Sequence, residues 1–144
     1  AVVASVGIYD MLRVELSPNG AFNIPEFGTV KDSEQFRALY AYSPIHNVKE
    51  GMKYPSIIFL TGANDPRVDP MQSRKMTARM QRAVEGVEGA NPVLLRTSAN
   101  TGHGMGTPLN ARIEEQTDIY SFLFNELGMW SEGEGAAKAK ESKN

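Results

Sequence analysis

The stretch "NTGHGMG", Asn100 to Gly106, sets His103 among three glycines, immediately after the apolar run "PVLLRT". Glycines let the backbone bend sharply and leave a neighbouring side chain uncrowded, so His103 is expected at a loop tip rather than in a core. An imidazole can take up and return a proton near neutral pH. It does so usefully when a carboxylate fixes its tautomer and stabilises its cation. A carboxylate is available upstream in "IIFLTGANDPRV", where Asp65 and Arg67 also follow an apolar run. An acid and then a histidine, each just past such a run, match the last two members of the chain order Ser, Asp, His. Blander readings stand beside this one. Asp65 suits an Asx turn before Pro66, Arg67 could pair with Asp65 or Asp69, and the second histidine, His46 in "YSPIHNV", reads as structural.

The elements that must hold these residues follow from periodicity. Ala1 to Gly7 is a short apolar run, Ser56 to Leu60 reads as a fully buried strand, and Pro92 to Thr97 gives a third strand. Phe36, Leu39 and Tyr40 fall at helical spacing before "YSP" stops them. Met76, Met80, Ala83, Val84 and Val87 mark one stripe of a helix that begins at Asp69 as N-cap and Pro70 as N1, with Arg74, Lys75, Arg79 and Arg82 on a solvated face. These methionines, with Met71, read as core fillers. A last helix spans Ile113 to Leu127 with Ile119, Phe122, Leu123 and Leu127 inward. Strands separated by helices imply right-handed crossovers and a parallel sheet, hence an α/β class. Such sheets carry their working residues just past the carboxyl ends of the strands, so the Asp65 and His103 loops are expected to be neighbours.

Five segments carry a more specific likeness: "DMLR" (Asp10–Arg13), "EFGT" (Glu26–Thr29), "YSPIHNV" (Tyr42–Val48), "YPSIIFLTGANDPRVDP" (Tyr54–Pro70) and "GHGMG" (Gly102–Gly106). In order and spacing they resemble the C-terminal part of the prolyl oligopeptidase family of serine peptidases, over residues 1–129. The resemblance implies the C-terminal portion of an α/β-hydrolase fold, about three parallel strands with flanking helices. It implies Asp65 as triad acid, His103 as triad base, and Arg67 as the arginine that holds a substrate carbonyl, for which a guanidinium offers paired donors on a rigid fork. It also implies a nucleophilic serine in a Gly-x-Ser-x-Gly elbow ahead of this segment, and no serine in the chain has that setting. The expectation is therefore a polypeptide that hydrolyses nothing alone and depends on the missing N-terminal part of the same enzyme.

The implied substrate is a peptide, cleaved after proline by family default. In proline-specific members a tryptophan stacks on the proline ring. Counted between Gly20 and Gly28 that place falls at Asn23, and an amide does not stack like an indole. Phe22 or Phe27 is the candidate to line the pocket instead, or to belong to the core. An acylaminoacyl-peptidase or esterase of the same fold stays open. So does a noncatalytic α/β module whose Gly-rich loop binds an anion or a partner, although no Gly-x-Gly-x-x-Gly or Lys-[Ser/Thr] phosphate motif is present.

Composition narrows the classes further. The 144 residues are 41% hydrophobic and 22% charged with a formal net charge of −2, ordinary for one globular domain. No basic cluster marks a nucleic-acid partner, and no apolar run approaches the roughly 18 to 20 residues of a membrane span. With no cysteine there is neither a disulfide framework nor a thiolate nucleophile, and the compartment stays open. No cofactor is expected, and no metal, because Glu114 and Glu115 diverge around their helix. The start, inside an apolar β-branched run, reads as a cut within a domain, and "SEGEGAAKAKESKN" reads as a disordered tail over 130–144, from about Ser131. Losing a neighbour of the first strand would bare its edge, so self-association through that edge is expected.

Overall fold

The computed structural model describes residues 1–104 and 106–130; the expected tail from Ser131 lies outside the described residues. Its element order begins with β1 (Val2–Ser5), then 3₁₀ turns at Val14–Leu16 and Gly20–Asn23, and the short helix α1 (Ile24–Phe27). There follow α2 (Ser33–Tyr42), α3 (Pro44–Asn47), β2 (Ile57–Gly62), α4 (Met71–Val84), β3 (Val93–Ser98) and α5 (Leu109–Glu126). The three strands form one parallel sheet in the order β1-β2-β3. Val2 to Ser5 register with Ile57 to Leu60, and Ile57 to Gly62 register with Val93 to Ser98.

β2 is the central strand, and all six of its residues are buried. An apolar run without polar alternation is what a parallel strand covered on both faces requires. Ile57 and Phe59 pack with Met76, Met80, Ala83 and Val93 beneath α4, while Ile58 and Leu60 meet Phe122 of α5 on the opposite face. A third cluster, Met11, Val14 and Leu39, seats the 3₁₀ segment against α2. Each fully buried side chain of this size contributes about 1.5–3 kcal/mol. Asp32 starts α2 by accepting from the Glu34 and Gln35 amides at 2.9 Å each, and the helix stops at Ser43 because the residue before a proline disfavours helical backbone.

Several boundaries and faces differ from expectation. The final helix begins at Leu109, ahead of Ile113, because Pro108 supplies a helix-ready start. Leu127 is 56% exposed rather than inward, since it lies past the helix end, and Met71 is 48% exposed on the first turn of α4. The basic face of α4 is only partly solvated. Lys75 pairs with the buried Asp10, and Arg79 reaches the Val48 carbonyl at 2.7 Å and Glu50 at 3.1 Å. Among the described residues no helix is long and apolar enough to cross a membrane.

Candidate functional site

β2 ends at Gly62, and the chain turns through Ala63 and Asn64 to Asp65. β3 ends at Ser98, and the chain runs through Thr101 and Gly102 to His103. The two exits are stitched together by backbone: Ala63 N–H donates to Ser98 at 2.9 Å, Asn64 N–H to Thr101 at 3.1 Å, and the Asn64 amide to Ala99 at 3.0 Å. Gly62 permits this approach. A Cβ there would stand 2.4 Å from the Gly102 carbonyl oxygen and 2.5 Å from that of Thr101, which no side chain tolerates. Gly104 adopts φ +96°, the left-handed backbone that glycine reaches without steric cost. The glycines around His103 therefore let its loop fold tightly against the Asp65 loop.

The Asp65 side chain is wholly buried, and both its oxygens are used. Oδ1 accepts from the Arg67 and Val68 amides at 2.8 and 2.9 Å. Oδ2 lies 2.8 Å from His103 Nδ1. The Asx turn and the pairing with histidine are one arrangement, because the turn is what fixes the direction of Oδ2. An ionised carboxylate only accepts, so the ring proton sits on Nδ1, and Nε2 keeps a lone pair. The His103 side chain remains 27% exposed against 0% for Asp65. This leaves a buried acid orienting a partly open imidazole, an arrangement suited to general base catalysis on a hydroxyl brought to Nε2.

His103 borders two hollows. One, of about 450 Å³, is also bounded by Arg67, Asn23, Glu26 and Phe27, with Val6, Ile8 and Val68. The other, of about 290 Å³, lies toward α5 and is bounded by Thr61, Thr101, Arg112 and Gln116. None of the ion pairs among the described residues involves Arg67. Its amide is fixed by Asp65 while its side chain faces the first hollow. Phe27 borders that hollow and also packs against the Met11–Val14–Leu39 cluster. Phe22, the other aromatic candidate, is 84% exposed and borders neither hollow, because the 3₁₀ turn carrying it faces outward. His46 bonds the buried Ser43 hydroxyl at 2.8 Å, well apart from this site. Among the described residues no three His, Asp or Glu side chains form a metal-holding group.

Three further residues shape the site. Gly62 is one; a glycine closing a fully buried strand is a sequence signal of close backbone approach. Asn19 is another, its amide donating to the Pro66 carbonyl and tying the Asn23–Phe27 segment to the Asp65 loop. Val6 is the third. It holds φ +44°, an outlier for a β-branched residue worth about 1–3 kcal/mol of strain, and it borders both hollows. Nothing in the sequence marks Val6.

A sequence profile described as the prolyl oligopeptidase family matches residues 1–129. A prolyl endopeptidase of Elizabethkingia miricola is 42% identical over 125 residues, 86% of this chain and 17% of that protein. A solved structure from a study of two prolyl endopeptidases superposes with TM-score 0.79 at 37% identity, over 89% of this chain and 18% of that one. Prolyl oligopeptidase B of Galerina marginata, solved as a Ser-to-Ala variant with a 35mer hydrolysis and macrocyclization substrate, superposes with TM-score 0.80 at 31% identity. That match covers 88% of this chain and 17% of that one. The chain thus spans under a fifth of the length of these relatives.

Proposed function

The chain belongs to the prolyl oligopeptidase family, and from that premise we propose that it forms the acid–base half of a serine peptidase site. In this reading Asp65 is the triad acid and His103 the base. His103 Nε2 takes the proton of a serine hydroxyl as that oxygen attacks the scissile carbonyl, then returns it to the departing amine. Arg67 holds a carbonyl of the peptide close to the bond being cleaved, and the hollow walled by Phe27 and Asn23 takes the side chain preceding that bond. The hydroxyl and part of the oxyanion-stabilising N–H set come from polypeptide outside these 144 residues. The same polypeptide covers the free edge of β1, which otherwise promotes self-association.

The observation that carries the reading is the 2.8 Å Asp65–His103 contact, made by a carboxylate whose other oxygen is locked by two amides. A loop that merely bound an anion would not need a buried acid beside its histidine. Cleavage after proline is the family default and is proposed for this chain on that ground.

The test has two arms. In the full-length polypeptide, His103→Ala and Asp65→Asn are each expected to lower kcat on a chromogenic prolyl peptide by on the order of 10³–10⁴-fold while the fold is retained. The 144-residue chain alone is expected to release no product from an activated ester. Turnover by the chain alone that vanishes in His103→Ala would refute the division of labour. Full activity in Asp65→Asn would refute the acid.

A further inference from the structure

α5 carries two apolar stripes where a helix lying on a sheet needs one. Ile119, Phe122 and Leu123 pack on Val3, Ile58 and Leu60. Leu109, Ile113 and Tyr120 do not; they are 68%, 54% and 55% exposed, and with Phe124 they recur at i, i+4, i+11 and i+15. Successive helical residues advance by about 100°, so this second stripe is turned about 120° from the first. It lines a shallow groove of about 550 Å³, closed on its other side by Trp130, whose ring lies 5.7 Å from that of Phe124.

The direction of the turn can be read from its neighbours. Asp118 and Asn125, on one flank of α5, share a hollow with Leu94 and Leu95 of β3. Arg112 and Gln116, on the other flank, border both the groove and the hollow reaching Ser5 and Val6 at the end of β1. The second stripe thus leans over β1, whose outer edge has no strand partner among the described residues. Contiguous apolar surface of this kind marks an interaction site.

We infer that this groove docks an amphipathic helix from the remainder of the same polypeptide, packed beside α5 on the face of a sheet that continues past β1. The inference rests on the reading of the chain as part of a longer peptidase. Relatives extend more than fourfold beyond the matched length. A row of apolar residues at helical spacing is the complement of a second helix. Residues 131–144 do not suit the groove, since their largest apolar side chain is alanine. A second copy of the chain seated in the groove would leave the backbone edge of β1 uncovered, whereas a helix belonging to the next part of the sheet covers the groove while its strand covers the edge.

The test is thiol accessibility in the full-length polypeptide. This chain contributes no cysteine of its own, so Ile113→Cys and Tyr120→Cys are compared with Glu88→Cys, which lies in the exposed turn between α4 and β3. Labelling at each position is read by mass spectrometry of the peptide carrying it. The groove thiols are expected to label at least about tenfold more slowly than Glu88→Cys, because a covered thiol reacts only through local opening. That protection should persist on dilution. Labelling within about twofold of the control would mean a bare face, and protection lost on dilution would mean a second copy; either overturns the inference. Loss of peptidase activity with protection intact would strike the catalytic reading alone.

Discussion

Gly62 has no side chain to offer, yet the contact between Asp65 and His103 runs through it. Its missing Cβ is what lets the Thr101–Gly102 backbone lie against the end of β2. Gly62→Ala is therefore expected to push that loop outward. The overpacking should cost about 1–3 kcal/mol of stability, and in the full-length polypeptide kcat should fall while KM stays near its original value, since the hollow beside Arg67 is formed elsewhere. Thermal unfolding and steady-state kinetics on one preparation would show this, and an unchanged kcat would exclude it. Phe27 and Phe22 provide a paired comparison. Phe27 walls the hollow and Phe22 is exposed, so Phe27→Ala is expected to change the ranking of peptides that differ at the residue before the cleaved bond. Phe22→Ala should leave the ranking as it was. The type and spacing of Asp65, Arg67 and His103 were legible in the sequence; which phenylalanine walls the hollow was not, because both lie in one short segment whose turn direction depends on what packs beneath it.

Among the elements, β2 and α4 show how far pattern reaches. Six consecutive residues without polar alternation identified β2 as a buried strand, and every one of them is buried. The methionine stripe of α4 was equally plain, with Met76 and Met80 in the core. The opposite face was less plain. Sequence spacing made Lys75 and Arg79 look like ordinary solvated charges, whereas the loop after β1 brings the buried Asp10 against Lys75. The Gln72 side-chain oxygen accepts from the Tyr9 and Asp10 amides at 2.9 and 2.7 Å in the same place. Lys75→Met is expected to destabilise by about 1–3 kcal/mol, because it leaves the Asp10 carboxylate buried without its partner. The loss should fall short of the roughly 3–5 kcal/mol of a fully buried pair, since the lysine is partly solvated. Urea unfolding would measure it, and a change within experimental error would show that the pair contributes nothing.

At the scale of the whole molecule, the loop following β1 rests on the sheet through Tyr9, whose ring meets Phe59 edge-on at 5.3 Å. Burial raises the Tyr9 phenol above its ordinary value of 10.0, opposed by a smaller hydrogen-bond contribution from Gly7. The sign of the linkage is fixed by this direction. Below pH 10 the phenol is neutral in both folded and unfolded chains, and the packing is fully retained. As pH rises past 10.0 the unfolded chain ionises first, so stability falls until the raised folded value is passed. Tyr9→Phe is expected to lose less stability between pH 9 and 11 than the parent protein, by roughly the linkage of one phenol. Chemical unfolding across that range is the measurement, and parallel curves would remove Tyr9 from the account.

Local chemistry and periodicity were sufficient, from the sequence alone, for the α/β class, the buried central strand, the helix carrying the methionines, and a carboxylate and an imidazole at successive strand ends. Each depends on neighbours a few residues away, where turn chemistry and side-chain period act directly. What only the tertiary structure decided depends on residues far apart in the chain. The glycine of one loop lies under the backbone of another, Val6 is held in a strained conformation beside His103, Lys75 is drawn onto Asp10, and α5 is left with a second apolar stripe facing the flank of β1. These follow from packing, which sets distances between segments that sequence spacing leaves free.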